Sequence, residues 1–213
     1  MLDIKEALFG TLRRMHHVRR YSSIPLIHPE NVAEHSWQIT MLGYLIGLDL
    51  QDRGITIAME MLLRRLLMHD LSEALSGDII RSFKHSNPKL LKEINDADHA
   101  NTYGLTRTLM PPNPTRLAMG RMDNDGADAV FMDWSAAKDG LLEGQIVALA
   151  DMLCVVSKCK EERAMGNTAV NYVLRSMYEE VLRGYRTHEY LKRYVIAIFP
   201  NDRWDDPYTE DTP

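Results

Sequence analysis

Apolar residues recur at three- and four-residue steps along most of the chain, a spacing that predicts helices rather than strands. The clearest case spans residues 31–52. There Trp37, Met41, Tyr44 and Leu45 are read as the buried face of one helix. Asn31 is a good N-cap, and Glu34 three positions later completes a capping-box pattern. The same period predicts helices over residues 3–16, 58–75, 87–110, 141–165, 168–183 and 188–198. Two proline-bearing stretches, RRYSSIPLIHPE and MPPNPTRL, interrupt it. Residues 113–140 are acidic and rich in small side chains, with room for a short helix inside a long connection. Their Asp123, Asp125 and Asp128 superficially resemble a calcium loop, but its sixth position is Asp128 where glycine is required, so the stretch is read as surface. No internal repeat and no strand-period segment stands out. The expectation is an all-α compact fold of about six or seven helices, not an up-down bundle. It forms a single domain over residues 1–200, followed by an acidic, flexible tail at 201–213.

Composition narrows the partners. The 213 residues are 45% hydrophobic and 26% charged, with a formal net charge of −5. Residues 201–213 hold five acidic side chains and one Arg, so the body is near neutral. A nucleic-acid polymer needs a basic surface, and none is expected here; one phosphate group needs only a local pocket. Cys154 and Cys159 form no disulfide framework and no zinc-knuckle spacing, which suits reduced residues of a cytoplasmic protein. The N-terminal MLDIKEALFG is amphipathic and contains acid, unlike a signal peptide. Apolar runs such as MLGYLIGL are far shorter than the roughly 20 residues that span a membrane.

Candidate chemistry lies where polar residues interrupt apolar helices. His35 falls in the second turn of its helix. In LLRRLLMHDLSEALSGD, a Leu- and Met-rich run leads into His69 and Asp70; Glu73 follows on the same side, and Asp78 lies just past the helix. Asp151 interrupts QIVALADMLCVV, and Arg20-Tyr21 sits in the loop ahead of His35. A charged Asp in an apolar helix is costly unless neutralised. Taken singly, each residue has a plain structural explanation: a hydrogen-bonded histidine, a salt-bridged aspartate, a chance His-Asp doublet, a surface Glu73. Together, two imidazole nitrogens and two carboxylate oxygens suit a divalent transition metal. His16, His17, His28, His85, His99 and His188 lack a second ligand at useful spacing, and KCKEERA reads as a solvated helix face.

The order of these residues, H, then HD 34 positions on, then D after 81 more, resembles the signature of the HD-domain metal-dependent phosphohydrolases. NVAEHS, HDLSEALSGD and ADMLCVVSKCKEERAMGN resemble the bacterial 5′-deoxynucleotidase branch, over roughly residues 12–171, with 86–140 matching poorly. The resemblance implies an HD-domain fold. It implies His35, His69, Asp70 and Asp151 as metal ligands, for Co, Mn or Zn ahead of Fe or Mg. It implies Glu73 as acid or base toward a metal-bound water, and Asp78 beside the sugar or in proton transfer. Arg20 would orient the phosphate, with Lys84 as a second contact. Tyr21 stands where the family usually has Trp, and Ile79, Ile80 and Arg81 follow the GD turn where it tends to have Pro-Thr; these, with His35, Asp70 and Asp151, complete the expected substrate surroundings. The implied reaction converts a deoxynucleoside 5′-monophosphate to deoxynucleoside and phosphate, in a protein that is often a homodimer. The alternatives are a deoxynucleoside triphosphate triphosphohydrolase and a non-catalytic nucleotide-binding regulator.

Overall fold

Asn31 caps its helix as the sequence predicts: its side chain accepts the Glu34 N–H at 3.0 Å, and the Glu34 carboxylate accepts the Asn31 N–H at 3.1 Å. The helix it starts, α3 (Val32–Asp52), is one of a series that makes up the fold. The computed structural model describes residues 2–84, 86–111 and 126–200, and within these leaves the side chains of Arg81 and Ser82 undescribed. The tail, His85, and Asp123 and Asp125 therefore lie outside the described residues.

Ahead of α3 come α1 (Ile4–Phe9) and α2 (Thr11–Arg14); after it come α4 (Met59–Met68), α5 (Glu73–Ser76), α6 (Arg81–Lys84), α7 (Pro88–Leu109), α8 (Gly126–Ser135), α9 (Leu142–Ala164), α10 (Asn171–Tyr185) and α11 (Lys192–Ile198). Among the described residues the extended pairing is limited to one bridge, Arg19 with Asn31. The all-α expectation holds, the long helices matching the anticipated number and short turns adding to it. No helix among the described residues is long and apolar enough to cross a membrane.

The chain divides into two compact units, residues 1–148 and 149–213. In the first, α3 packs on α4, α4 on α8, α7 on α8, and α2 on α5. Leu71, Leu105 and Leu109 centre a core that Leu12, Met68 and Trp134 pack against. In the second, α10 packs on α11 and on the 3₁₀ turn Thr168–Val170. Helix α9 starts in the first unit, where Glu143 accepts the Ala58 N–H at 2.7 Å, just ahead of α4.

Four expectations need correction. Trp37, Met41 and Leu45 are exposed, and α3 instead buries Val32, His35, Ser36, Ile39, Gly43, Ile46, Gly47 and Leu50. The two glycines decide the face. A Cβ on Gly43 would meet Leu66 at 2.5 Å, and one on Gly47 would meet Leu62 at 2.7 Å, so α4 lies against the smallest residues of α3. The helix expected over 3–16 breaks at Gly10, because the Glu6 carboxylate turns to accept the N–H and hydroxyl of Thr11 at 2.8 and 2.6 Å. The helix expected over 58–75 breaks after Met68, where three-residue turns carry the chain to α5. KCKEERA is not a solvated face, since Lys158, Cys159 and Glu162 are buried. Some expectations hold. Both cysteines are buried thiols outside any disulfide, a short helix lies within 113–140, and its Asp128 pairs with Arg107 at 2.7 Å.

Candidate metal centre and active site

The break after α4 shapes the site. At its end the His69 ring turns back, and its Nδ1 lies 2.8 Å from the Leu66 carbonyl. A carbonyl only accepts, so the proton sits on Nδ1 and the Nε2 lone pair faces the other way. That Nε2 is buried, lacks a hydrogen-bond partner, and lies 3.0 Å from Asp70 Oδ2. From α3, the wholly buried His35 brings its Nε2 to 3.8 Å from the same oxygen. The two imidazole centroids are 6.0 Å apart. One donor atom from each of His35, His69 and Asp70 lies within 4.8 Å of the others. The close seating of α3 on α4 over Gly43 and Gly47 allows this approach.

A cation and two further carboxylates stand against the cluster. Arg20 Nη1 is 3.3 Å from Asp70 Oδ2 and 3.9 Å from Glu73 Oε2, and its Nε is 3.5 Å from Glu30 Oε2. Glu73 opens α5, placed by the turns after His69. One guanidinium facing three carboxylates leaves these named groups two negative charges in excess. With a bare imidazole nitrogen between them, the donor set fits a divalent transition metal.

Asp78 has a structural task. Gly77 takes φ 73° after α5, and Asp78 Oδ2 then accepts the Tyr21 N–H at 3.0 Å. Tyr21 itself has φ 57°, a left-handed backbone that a bulky residue adopts only when its surroundings hold it there. Asp78 thus fixes the loop that carries Arg20.

The structure brings together His35, His69, Asp70, Arg20 and Glu73, with Tyr21 and Asp78 joined through the loop. Ile79 and Ile80 are half-buried beyond Gly77, and Arg81 opens α6. Lys84 is turned to α7, its Nζ 3.6 Å from Asp98. Asp151 is half-buried on α9, in the second compact unit. Sequence reasoning passed over Glu30, which is buried and lies 3.7 Å from His35 Nδ1. Its one signal was position: an acid directly before a helix cap, five residues ahead of a histidine on the apolar face.

Comparisons with known proteins bear on the family and the fold of the chain. A family profile described as 5′-deoxynucleotidase YfbR-like matches residues 7–199. A 5′-deoxynucleotidase of Vibrio parahaemolyticus is 30% identical over 160 residues, 75% of this chain and 76% of its own length. An HD-domain phosphohydrolase from Listeria innocua superposes with a TM-score of 0.73 at 23% identity, covering 90% of this chain and 86% of its own. A cyanophage S-2L HD phosphohydrolase, bound to dA and one catalytic zinc ion, superposes with a TM-score of 0.52 at 16% identity, covering 90% and 94%. The two structural likenesses establish the helical HD-domain fold.

Proposed function

The chain belongs to the YfbR-like 5′-deoxynucleotidase family, and from that membership we propose that it hydrolyses deoxynucleoside 5′-monophosphates to deoxynucleoside and phosphate. The observation that carries the reading is the buried cluster of His35, His69 and Asp70 with Arg20 against it. These three residues would hold the metal. A bound divalent ion supplies acidity to water and draws charge from a phosphoryl oxygen. Zinc leads among Zn, Co and Mn, since the cyanophage neighbour holds it.

The side chains do the rest. Arg20 offers parallel N–H groups to two phosphate oxygens, which a lysine cannot. Glu73 lies on the same side of Arg20 as Asp70, so it can take a proton from the attacking water. A bond forms from water oxygen to phosphorus, the bond from phosphorus to the 5′-oxygen breaks, and that oxygen takes a proton as it leaves. Asp78 keeps the Arg20–Tyr21 loop in place, and the family resemblance would set it beside the sugar or in proton transfer. We read residues 1–200 as one functional domain of a cytoplasmic homodimer.

A product assay tests the reading. The protein is stripped, reloaded with Mn, Co or Zn, and offered the four dNMPs and dNTPs, with ribonucleotides as controls. Phosphate release from dNMPs is the expected result. Triphosphate release from a dNTP would replace the proposal with a triphosphohydrolase, and tight binding without turnover would replace it with a regulator. His69→Ala is expected to abolish metal binding and turnover together; full activity with metal still bound would overturn the site.

A further inference from the structure

We infer that Glu30 is a positioning residue that holds both the metal-facing His35 and the phosphate-facing Arg20 through one carboxylate oxygen; the inference rests on the metal reading above. Glu30 is only 5% exposed, and a carboxylate is buried at such cost only where cationic or hydrogen-bonding groups meet it. Its Oε2 stands 3.5 Å from Arg20 Nε and 3.7 Å from His35 Nδ1. One oxygen therefore lies between the guanidinium and the imidazole, within ion-pair reach of both and at more than hydrogen-bond length from the imidazole.

The backbone keeps that oxygen there. The Glu30 carbonyl accepts the Arg20 N–H at 3.0 Å, and the Val32 N–H donates to the Val18 carbonyl at 3.0 Å. These bonds flank the Arg19–Asn31 bridge and fix Glu30 against Arg20. Directly after Glu30, the capping box at Asn31 fixes the start of α3 and so the height of His35.

Two consequences follow from chemistry. A carboxylate facing Nδ1 keeps the proton on that nitrogen, leaves the Nε2 lone pair toward Asp70 and His69, and makes the imidazole a better ligand. His69 is set in the same tautomer by a neutral carbonyl, so the two rings differ on the Nδ1 side, where His35 faces a charge. On its other side, Glu30 engages Arg20 through Nε, which leaves the Nη edge to Asp70, Glu73 and a phosphate. Removing the carboxylate's charge should loosen metal and phosphate together. A carboxylate that merely neutralised Arg20 would affect only phosphate.

The test compares wild type, Glu30→Gln, Glu30→Asp and His69→Ala. Zinc affinity is measured by competition with a chromogenic chelator, KM and kcat with a dNMP, and melting temperature on the metal-free proteins. Glu30→Gln is expected to lose roughly 10–100-fold in zinc affinity and to raise KM, with the metal-free melting temperature little changed and Glu30→Asp in between. Wild-type zinc affinity in Glu30→Gln overturns the inference alone, provided His69→Ala has lost it. Equal affinity in wild type and His69→Ala overturns the metal reading itself. Should Glu30→Gln fail to fold, ¹⁵N spectra of zinc-loaded wild type decide: a protonated Nδ1 on His35 supports the inference, and a bare Nδ1 overturns it.

Discussion

Lys158 and Glu162 share one turn of α9, their side chains 6% and 0% exposed, with Nζ 3.1 Å from Oε1. Asn167 donates its side-chain amide to the other Glu162 oxygen at 2.8 Å and its N–H to the Glu162 carbonyl at 2.9 Å, closing the helix over Gly166. Burial by itself pulls the Lys158 pKa down, but the carboxylates of Glu162 and Glu161 outweigh it and hold the group above its ordinary 10.5. The raised value fixes the sign of the pH dependence. The ammonium's contribution is complete below pH 10.5 and is lost as pH climbs through the higher folded-state value. Lys158→Met takes the ammonium away from a buried carboxylate and should cost about 3–5 kcal/mol in urea unfolding, whereas Lys158→Met with Glu162→Leu should recover most of it. Equal stability of wild type and the single variant would show that the pair contributes nothing. In the sequence this segment looks like a solvated face because charge is visible there and burial is not. The same limit applies to Glu30, whereas His35, His69 and Asp70 stand out because imidazole and carboxylate interrupt apolar runs.

Helices were legible where apolar residues repeat, and their faces were not. The bulky set Trp37, Met41 and Leu45 suggested the buried side of α3, but packing selected the side with Gly43 and Gly47, where α4 comes closest. The breaks in the first and third expected helices were also hidden. Each comes from one side chain taking over a backbone partner: Glu6 at Thr11, and His69 at Leu66. The α3–α4 contact is open to test. Gly43→Val sets a branched side chain against the fully buried Leu66 and should cost about 1–3 kcal/mol in denaturant unfolding. It should also weaken metal binding, since α3 carries His35 and the end of α4 carries His69. Gly184→Ala is the control: nothing lies within 4 Å of an added Cβ on α10, and the helix should gain roughly 0.5–1 kcal/mol. A Gly43→Val protein as stable as wild type would mean that α3 and α4 can part without loss.

For the whole molecule, the same face of α3 gives the homodimer its argument. Trp37, Met41 and Leu45, at 66%, 42% and 56% exposure, form a stripe at four-residue spacing, about 12 Å long at 1.5 Å per residue. Scattered exposed apolar residues are ordinary on any protein, but three at one helical spacing, headed by a tryptophan, are where the proposed homodimer would be covered. In the proposed homodimer a second copy would meet it with the same residues across a two-fold axis, and such an interface is self-complementary by construction. The stripe points away from the buried face that holds His35, so association and metal binding separate experimentally. Trp37→Glu with Leu45→Glu is expected to shift wild-type dimers to monomers in sedimentation velocity at micromolar concentration, while zinc affinity stays within about twofold, an energy change well under the 1.4 kcal/mol that makes tenfold. Wild-type protein that already sediments as a monomer would remove the dimer from the proposal and leave the hydrolytic site untouched. Dimers that survive both charges would move the interface elsewhere on the chain.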